Sequence, residues 1–248
     1  MRLLARQLAF EQLIFWRNRE AAIFVFLLPV LLYVMLGSII EGEVEGHSAA
    51  SYLSVGMIGY GVANTAFGGL AIFLVLRRES GILKRIRSTP LPAATYLGAV
   101  LVSILLVFAI QSAVVIALGS LAFDAELPTR PAGTLLALGL AAAAFASMGL
   151  AAAAVIRSGE GASPIVNIVI LPMAFLSGSF GDPDEYPAAL RAVGEALPLK
   201  HAIELVQAAY LDDVAIWDRP RALAVLGAWT LGSLAIAWRL FGWEPRSR

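Results

Sequence analysis

SAASYLSVGMIGYGVANTAFGGLAIFLVLRRESGILKRIRSTPLP, residues 48–92, decides how the rest of the chain is read. Its first part, 48–76, holds no Asp, Glu, Lys, Arg or His, and its second, 77–92, is dense in basic residues. About 20 apolar residues carry a helix across a hydrocarbon core about 30 Å thick. Residues 48–76 therefore read as a spanning helix with interfacial ends, and 77–92 as the segment where the chain emerges. Five further charge-free blocks flank it: 21–40, 91–123, 131–156, 161–181 and 222–238. None shows the polar–apolar alternation of a barrel strand, and lipid leaves no backbone group unsatisfied, so all six are expected to be helices. The sixth block is short, but Trp217, Trp238 and Trp243 suit an interfacial belt around it. The expected class is an all-α integral membrane protein. Composition agrees, with 59% hydrophobic and 15% charged residues, too few charges to coat a soluble domain of 248 residues.

Net charge is zero, but its distribution is ordered. With the N-terminus inside, the inner segments hold 13 of the 18 basic residues, leaving Arg130, Arg191, Lys200, Arg219 and Arg221 outside. The positive-inside rule favours that orientation, which puts both termini in the cytoplasm. The 16 to 2 excess of arginine over lysine reads as a base-composition bias and points to a bacterial cell membrane. Arg2, Arg6, Glu11, Arg17 and Arg19 interrupt the first 20 residues, so the first block is expected to remain as a span rather than to be removed as a signal.

Several function classes lose support. None of the six blocks carries the ionisable group that usually marks an ion or proton pathway. Cysteine is absent, and the two histidines, His47 and His201, fall far apart in outer segments, so no metal site and no disulfide is expected. Both lysines, Lys84 and Lys200, follow leucine, which excludes the Gly-Lys-Ser/Thr of a phosphate-binding loop. An enzyme is not expected, nor any cofactor held by this chain, nor a nucleic-acid partner.

The segments outside the blocks carry the organisation. In 77–92, Ile82, Leu83 and Ile86 fall on one helical arc while Lys84 and Arg87 point away, and Pro90 and Pro92 stop the helix before the third span. By composition this is either an anchor on anionic lipid or a lever that docks into a cytoplasmic partner. Residues 1–20 are expected to form a surface helix whose polar seam, Gln7, Glu11 and Asn18, suits contact with protein as well as lipid. Residues 182–221 are too polar to cross. Two short helices, 187–197 and 201–211, broken by Pro198, are expected to form a re-entrant or interfacial hairpin, and Pro172 a kink in the fifth span. The domain plan is a connecting helix, 1–20, followed by one six-span domain, 21–248.

Two motifs resemble the permeases of ABC type-2 exporters, in particular the bacterial drug-export branch. The first is R-x-E-x-G-x-L-x-x-I-x-x-T-P, here Arg77, Glu79, Gly81, Leu83, Ile86, Thr89 and Pro90. The second is P-x-x-F-L-S-G-x-F, here Pro172, Phe175, Leu176, Ser177, Gly178 and Phe180, followed by prolines at 187 and 198. The resemblance implies a permease that pairs with a second copy of itself, or a related permease, and with separate ATP-binding subunits that hold ATP and Mg. It implies that 77–92, with Arg78, Lys84 and Arg87, is the coupling segment and 1–20 the connecting helix. The implied substrate route lies between two subunits along spans two and five, where Asn64, Thr65, Phe67, Asn167, Pro172 and Phe175 are the candidates. Asn64 and Phe67 are expected to share one face at i, i+3 spacing, though a polar amide in a span also serves helix packing, contributing about 0.6–2 kcal/mol. The expected cargo is a small hydrophobic or amphiphilic molecule, drug or lipid-like. A polysaccharide or glycolipid exporter and a non-transporting membrane scaffold are the alternatives.

Overall fold

The computed structural model describes residues 2–40, 42–44, 46–181 and 186–244. Residues 182–185, the start of the outer segment, and the tail cations Arg246 and Arg248 lie outside them. Among the described residues six helices are long and apolar enough to cross a membrane, and they coincide with the six charge-free blocks.

Helix α1, Arg2–Arg17, ends at Asn18, whose non-helical backbone separates it from α2, Arg19–Gly37, and whose side chain accepts the amide of Ala21 at 3.2 Å. Asn18 thus takes the capping role that Asn serves at helix starts. The break between the N-terminal helix and the first span falls at this residue. A two-residue antiparallel ladder, β1 Glu43–Val44 and β2 His47–Ser48, leads into the second span. That span is built in three pieces: α3, Ala49–Val62, a π-helical segment Ala63–Gly69, and α4, Leu70–Glu79. Helix α5, Ile82–Arg87, is the expected lever. Spans three to five are α6, Ala93–Ala122; α7, Pro131–Val155; and α8, Gly159–Leu176. Helix α8 runs through Pro172 for one further turn.

The outer hairpin consists of α9, Ala188–Gly194, and α10, Pro198–Tyr210. Pro198 opens the second helix rather than lying in a gap before it, because a first-turn residue has no intrahelical N–H bond to lose. Helix α10 is no surface element: Leu199, Ala202, Leu205, Val206 and Tyr210 are almost wholly buried against α3, α7 and α11, Pro220–Leu240. Its C-terminal carbonyls accept the amides of Thr129 and Arg130, and the Tyr210 hydroxyl donates to the Glu126 carbonyl at 3.0 Å. This covers the irregular backbone that lipid would not tolerate.

Span two is the axis of the bundle. Its most apolar window is 78% buried, against 17% in spans one and six, so those two offer their apolar faces to lipid. Trp217 and Trp238 are exposed at opposite ends of α11, as the belt reading expects. Trp243 instead turns inward, its ring 6.2 Å from that of Tyr96 and 5.6 Å from Phe241.

An ionic chain holds the outer hairpin. His201, 1% exposed, contacts Glu204 at 3.3 Å through Nδ1 and the Glu195 carbonyl at 2.9 Å through Nε2. Glu195 also pairs with Lys200 and, at 2.8 Å, with Arg221. Arg219 bridges Glu204 and Asp212, and Asp212 meets His47 of β2 at 3.1 Å. The Glu204 contact raises the His201 pKa against the opposing effect of burial, and lowers that of Glu204. A raised histidine pKa stabilises the fold fully below its ordinary value of 6.5, and that stability is lost as pH rises through the raised value. Glu204 works in the other direction, its share being lost only as pH falls through a value below 4.5. The melting temperature in detergent is therefore expected to drop as pH is raised above 6.5, and His201→Gln to flatten that dependence. An equally steep profile in the variant would remove His201 from the account.

Candidate functional site

Three consecutive charged residues end the second span, and successive side chains on a helix diverge by about 100°. Arg77 turns toward α1 and α6. Its guanidinium meets Glu11 with two bonds, 3.0 and 2.9 Å, donates to the Tyr96 hydroxyl at 2.6 Å and lies 3.8 Å from the centre of the Phe73 ring. Gln7 completes the cluster by donating to Glu11 at 2.7 Å. Arg78 turns toward α7, donating to the carbonyls of Ala153, at 2.6 Å, and Ile156. Glu79 turns toward α8 and accepts the amide of Gly159 at 2.7 Å.

Arg77 and Arg78 are 8% and 2% exposed, so they lie inside the bundle rather than on its surface. A cation at the end of a span has two ways to avoid lipid, the aqueous surface or an internal partner, and here Glu11 and the orphan carbonyls of α7 supply the partners. The exposed basic knob is α5. Gly81, at φ +73°, makes the left-handed turn into it, where a side chain would be strained. Leu83 is fully buried and seats the short helix, Ile86 is half-buried, and Ile82 stays more open than its place on the apolar arc implies. Lys84, Arg85 and Arg87 project outward. Thr89 then closes the turn, its hydroxyl donating to the Ile86 carbonyl at 2.6 Å ahead of Pro90.

A cavity of about 380 Å³ lies beside span two. That is within the usual range of small-molecule sites, about 300–1,000 Å³. Its walls come from α1, α2, α6, α8 and the π segment with α4, and each span contributes the half nearer the basic knob. The lining is mostly apolar, including Phe24, Ile72 and Val107, with Asn64, Thr65 and Asn167 among its few polar groups. The Thr65 hydroxyl donates to Gln111 at 3.0 Å, and Gln111 donates to the Val25 carbonyl at 2.7 Å, so Thr65 is committed to joining spans one, two and three. Asn167 donates to the Ser163 carbonyl within α8 at 3.0 Å. The Asn64 amide nitrogen makes no hydrogen bond of good geometry to a described residue, although the Tyr60 hydroxyl is a neighbour.

The other three route candidates lie off the cavity. Phe67 is 5% exposed in the core and is not a wall residue. The i, i+3 relation to Asn64 assumed an α-helix, but the i→i+5 bonding of the π segment widens the turn, and Gly68 joins Asn64 on the lining instead. Pro172 and Phe175 are exposed on the outer surface of α8, with Phe175 against Phe180 at 4.9 Å. Glu11, Tyr96 and Gln111 are the polar residues that sequence reasoning did not single out as site residues. The polar seam of α1 was the signal for Glu11; nothing in the sequence distinguished the other two.

The family model for the ABC-2 type transporter matches residues 3–211. The chain belongs to the ABC-2 type transporter family. No curated protein matches it. The match runs from α1 through the end of the outer hairpin, so the Arg77–Glu11 cluster, the knob and the cavity all fall within it. As an ABC-2 membrane domain it is a permease component of an ABC transporter and a multi-pass membrane protein.

Proposed function

We propose that this ABC-2 permease is the membrane subunit of an ATP-driven exporter of small hydrophobic or amphiphilic molecules, drug or lipid-like, in the branch that exports drugs from bacteria. The observation that carries the reading is the basic knob: an exposed cationic helix wired through Arg77, Arg78 and Glu79 into four helices of the bundle. A lipid anchor would not need that wiring. A lever driven by a separate ATP-binding subunit, which holds ATP and Mg, would.

In this reading the knob faces the cytoplasm, both termini lie inside, and the cavity sits in the inner half of the bacterial cell membrane. Its mostly apolar wall suits the hydrocarbon part of a guest, and Asn64 and Asn167 add amide groups to that wall for a polar end. Pro172, Phe175 and Ile168 on the exposed face of α8 suit contact with a second copy of the chain or a related permease. In this reading spans two and five flank the joint route. The apolar lining argues against a polysaccharide cargo.

The test is co-purification with the ATP-binding subunit encoded beside this chain, followed by a screen for amphiphiles that stimulate hydrolysis in proteoliposomes. Stimulation by a set of amphiphiles is expected, and Asn64→Leu is expected to change their rank order several-fold. Failure to retain an ATP-binding subunit, or concentrative transport by the permease alone, would overturn the proposal.

A further inference from the structure

We infer that Arg78 and Glu79 form a clamp on the turn between spans four and five, so that movement of the knob is delivered to the start of span five. The inference rests on the coupling role proposed above for α5.

A helix ends with unsatisfied carbonyls carrying partial negative charge and begins with unsatisfied amides carrying partial positive charge. Span four ends at Val155 and span five begins at Gly159, so residues 156–158 place the negative end of one helix beside the positive end of the next. Arg78 supplies the cation for the first, bonding the Ala153 and Ile156 carbonyls, and Glu79 the anion for the second, accepting from Gly159. Adjacent residues of one helix thereby cap two different helices in trans. The fit is close: a Cβ on Gly159 would stand 2.2 Å from the Glu79 carboxylate and 2.8 Å from Leu76. Ser158 completes the start of α8 by accepting the amide of Gly161 at 3.2 Å.

The link to the knob is short. Only Ser80 and Gly81 separate Glu79 from α5, and the Ser80 hydroxyl donates to the Arg77 carbonyl at 3.2 Å, so this connector is itself tied to the last turn of α4. A turn of α5 rotates that last turn, and Arg78 and Glu79 swing with it. Residues 156–159 carry the rotation into α8, whose Ser163 and Asn167 line the cavity. Glu79 is a positioning residue in this scheme and touches no substrate.

The experiment is hydrogen–deuterium exchange of the full permease with its ATP-binding subunit in nanodiscs, with and without ATP plus vanadate. In the unaltered complex both α5 and the 156–163 segment are expected to change protection on nucleotide trapping. In Glu79→Ala the nucleotide-dependent change at 156–163 is expected to vanish while that at α5 remains. Glu79→Gln, whose amide oxygen still accepts from Gly159, is expected to keep both. A merely structural contact would raise exchange at 156–163 equally in both nucleotide states and leave the difference intact, and that result overturns the clamp. Loss of the response at α5 together with 156–163 in Glu79→Ala also overturns it, since Glu79 would then serve docking. An α5 that ignores nucleotide in the unaltered complex brings down the coupling role itself, a failure distinct from that of the clamp.

Discussion

Glu11→Ala is expected to destabilise the permease by about 3–5 kcal/mol, the usual cost of leaving a buried charge without its counter-ion. Arg77 would keep the Tyr96 hydroxyl and the Phe73 ring, but neither neutralises it, and at 8% exposure it cannot swing into water without unseating α4. The paired replacement Glu11→Met with Arg77→Met is expected to recover most of the loss, because a well-packed apolar pair avoids the desolvation cost of both ions. Thermal unfolding in detergent checks both statements. An unchanged melting temperature in Glu11→Ala would show that α1 is not anchored through this pair. The two variants separate stability from coupling: the double variant is expected to be stable yet to transmit poorly, since its replacement contact lacks the directed hydrogen bonds.

The second large effect is expected at the knob. Lys84, Arg85 and Arg87 are exposed, and among the described residues no acidic side chain pairs with them. Reversing all three to Glu is expected to leave insertion and melting behaviour unaltered while weakening retention of the ATP-binding subunit on the order of a hundredfold. That corresponds to about 1 kcal/mol for each lost contact. Affinity of the unaltered complex should fall with salt, as exposed ion pairs do. Equal retention by the reversed variant would move the docking surface away from α5.

The bundle was largely legible in the sequence because its determinants are local. Twenty apolar residues need no partner to declare a span, and the six charge-free blocks reappear as α2, the α3–π–α4 unit, α6, α7, α8 and α11. The short helix α5 was legible for the same reason: Leu83 beside cations and Pro90 just beyond are signals within one short segment. What depends on tertiary partners was not legible. The side on which Arg77 and Arg78 meet their counter-charges is set by Glu11, 66 residues away, and by the Ala153 carbonyl, 75 residues away. The same applies to Trp243, whose ring meets Tyr96 rather than the interface. Phe67 does not share the cavity face of Asn64, because helical phase changes through 63–69, where the hydrogen bonding goes from i→i+4 to i→i+5. The outer hairpin was legible in its breaks, not in its depth. The apolar stripe of α10 declares an amphipathic helix, but only packing reveals that almost all of it is covered.

The π-helical stretch within span two has a consequence for sequence length. A π turn holds one more residue than an α turn, so this stretch stores a spare residue at the axis of the bundle. Losing one amino acid between Ala63 and Gly69 can be absorbed by reverting to ordinary helix, which keeps α3 and α4 each in phase with its own neighbours. The same loss within α3 or α4 would rotate everything beyond it by about 100° and turn buried side chains toward lipid. Indels tolerated along this span are thus expected to gather in that one window, where they would reshape the wall beside Asn64 without disturbing either end.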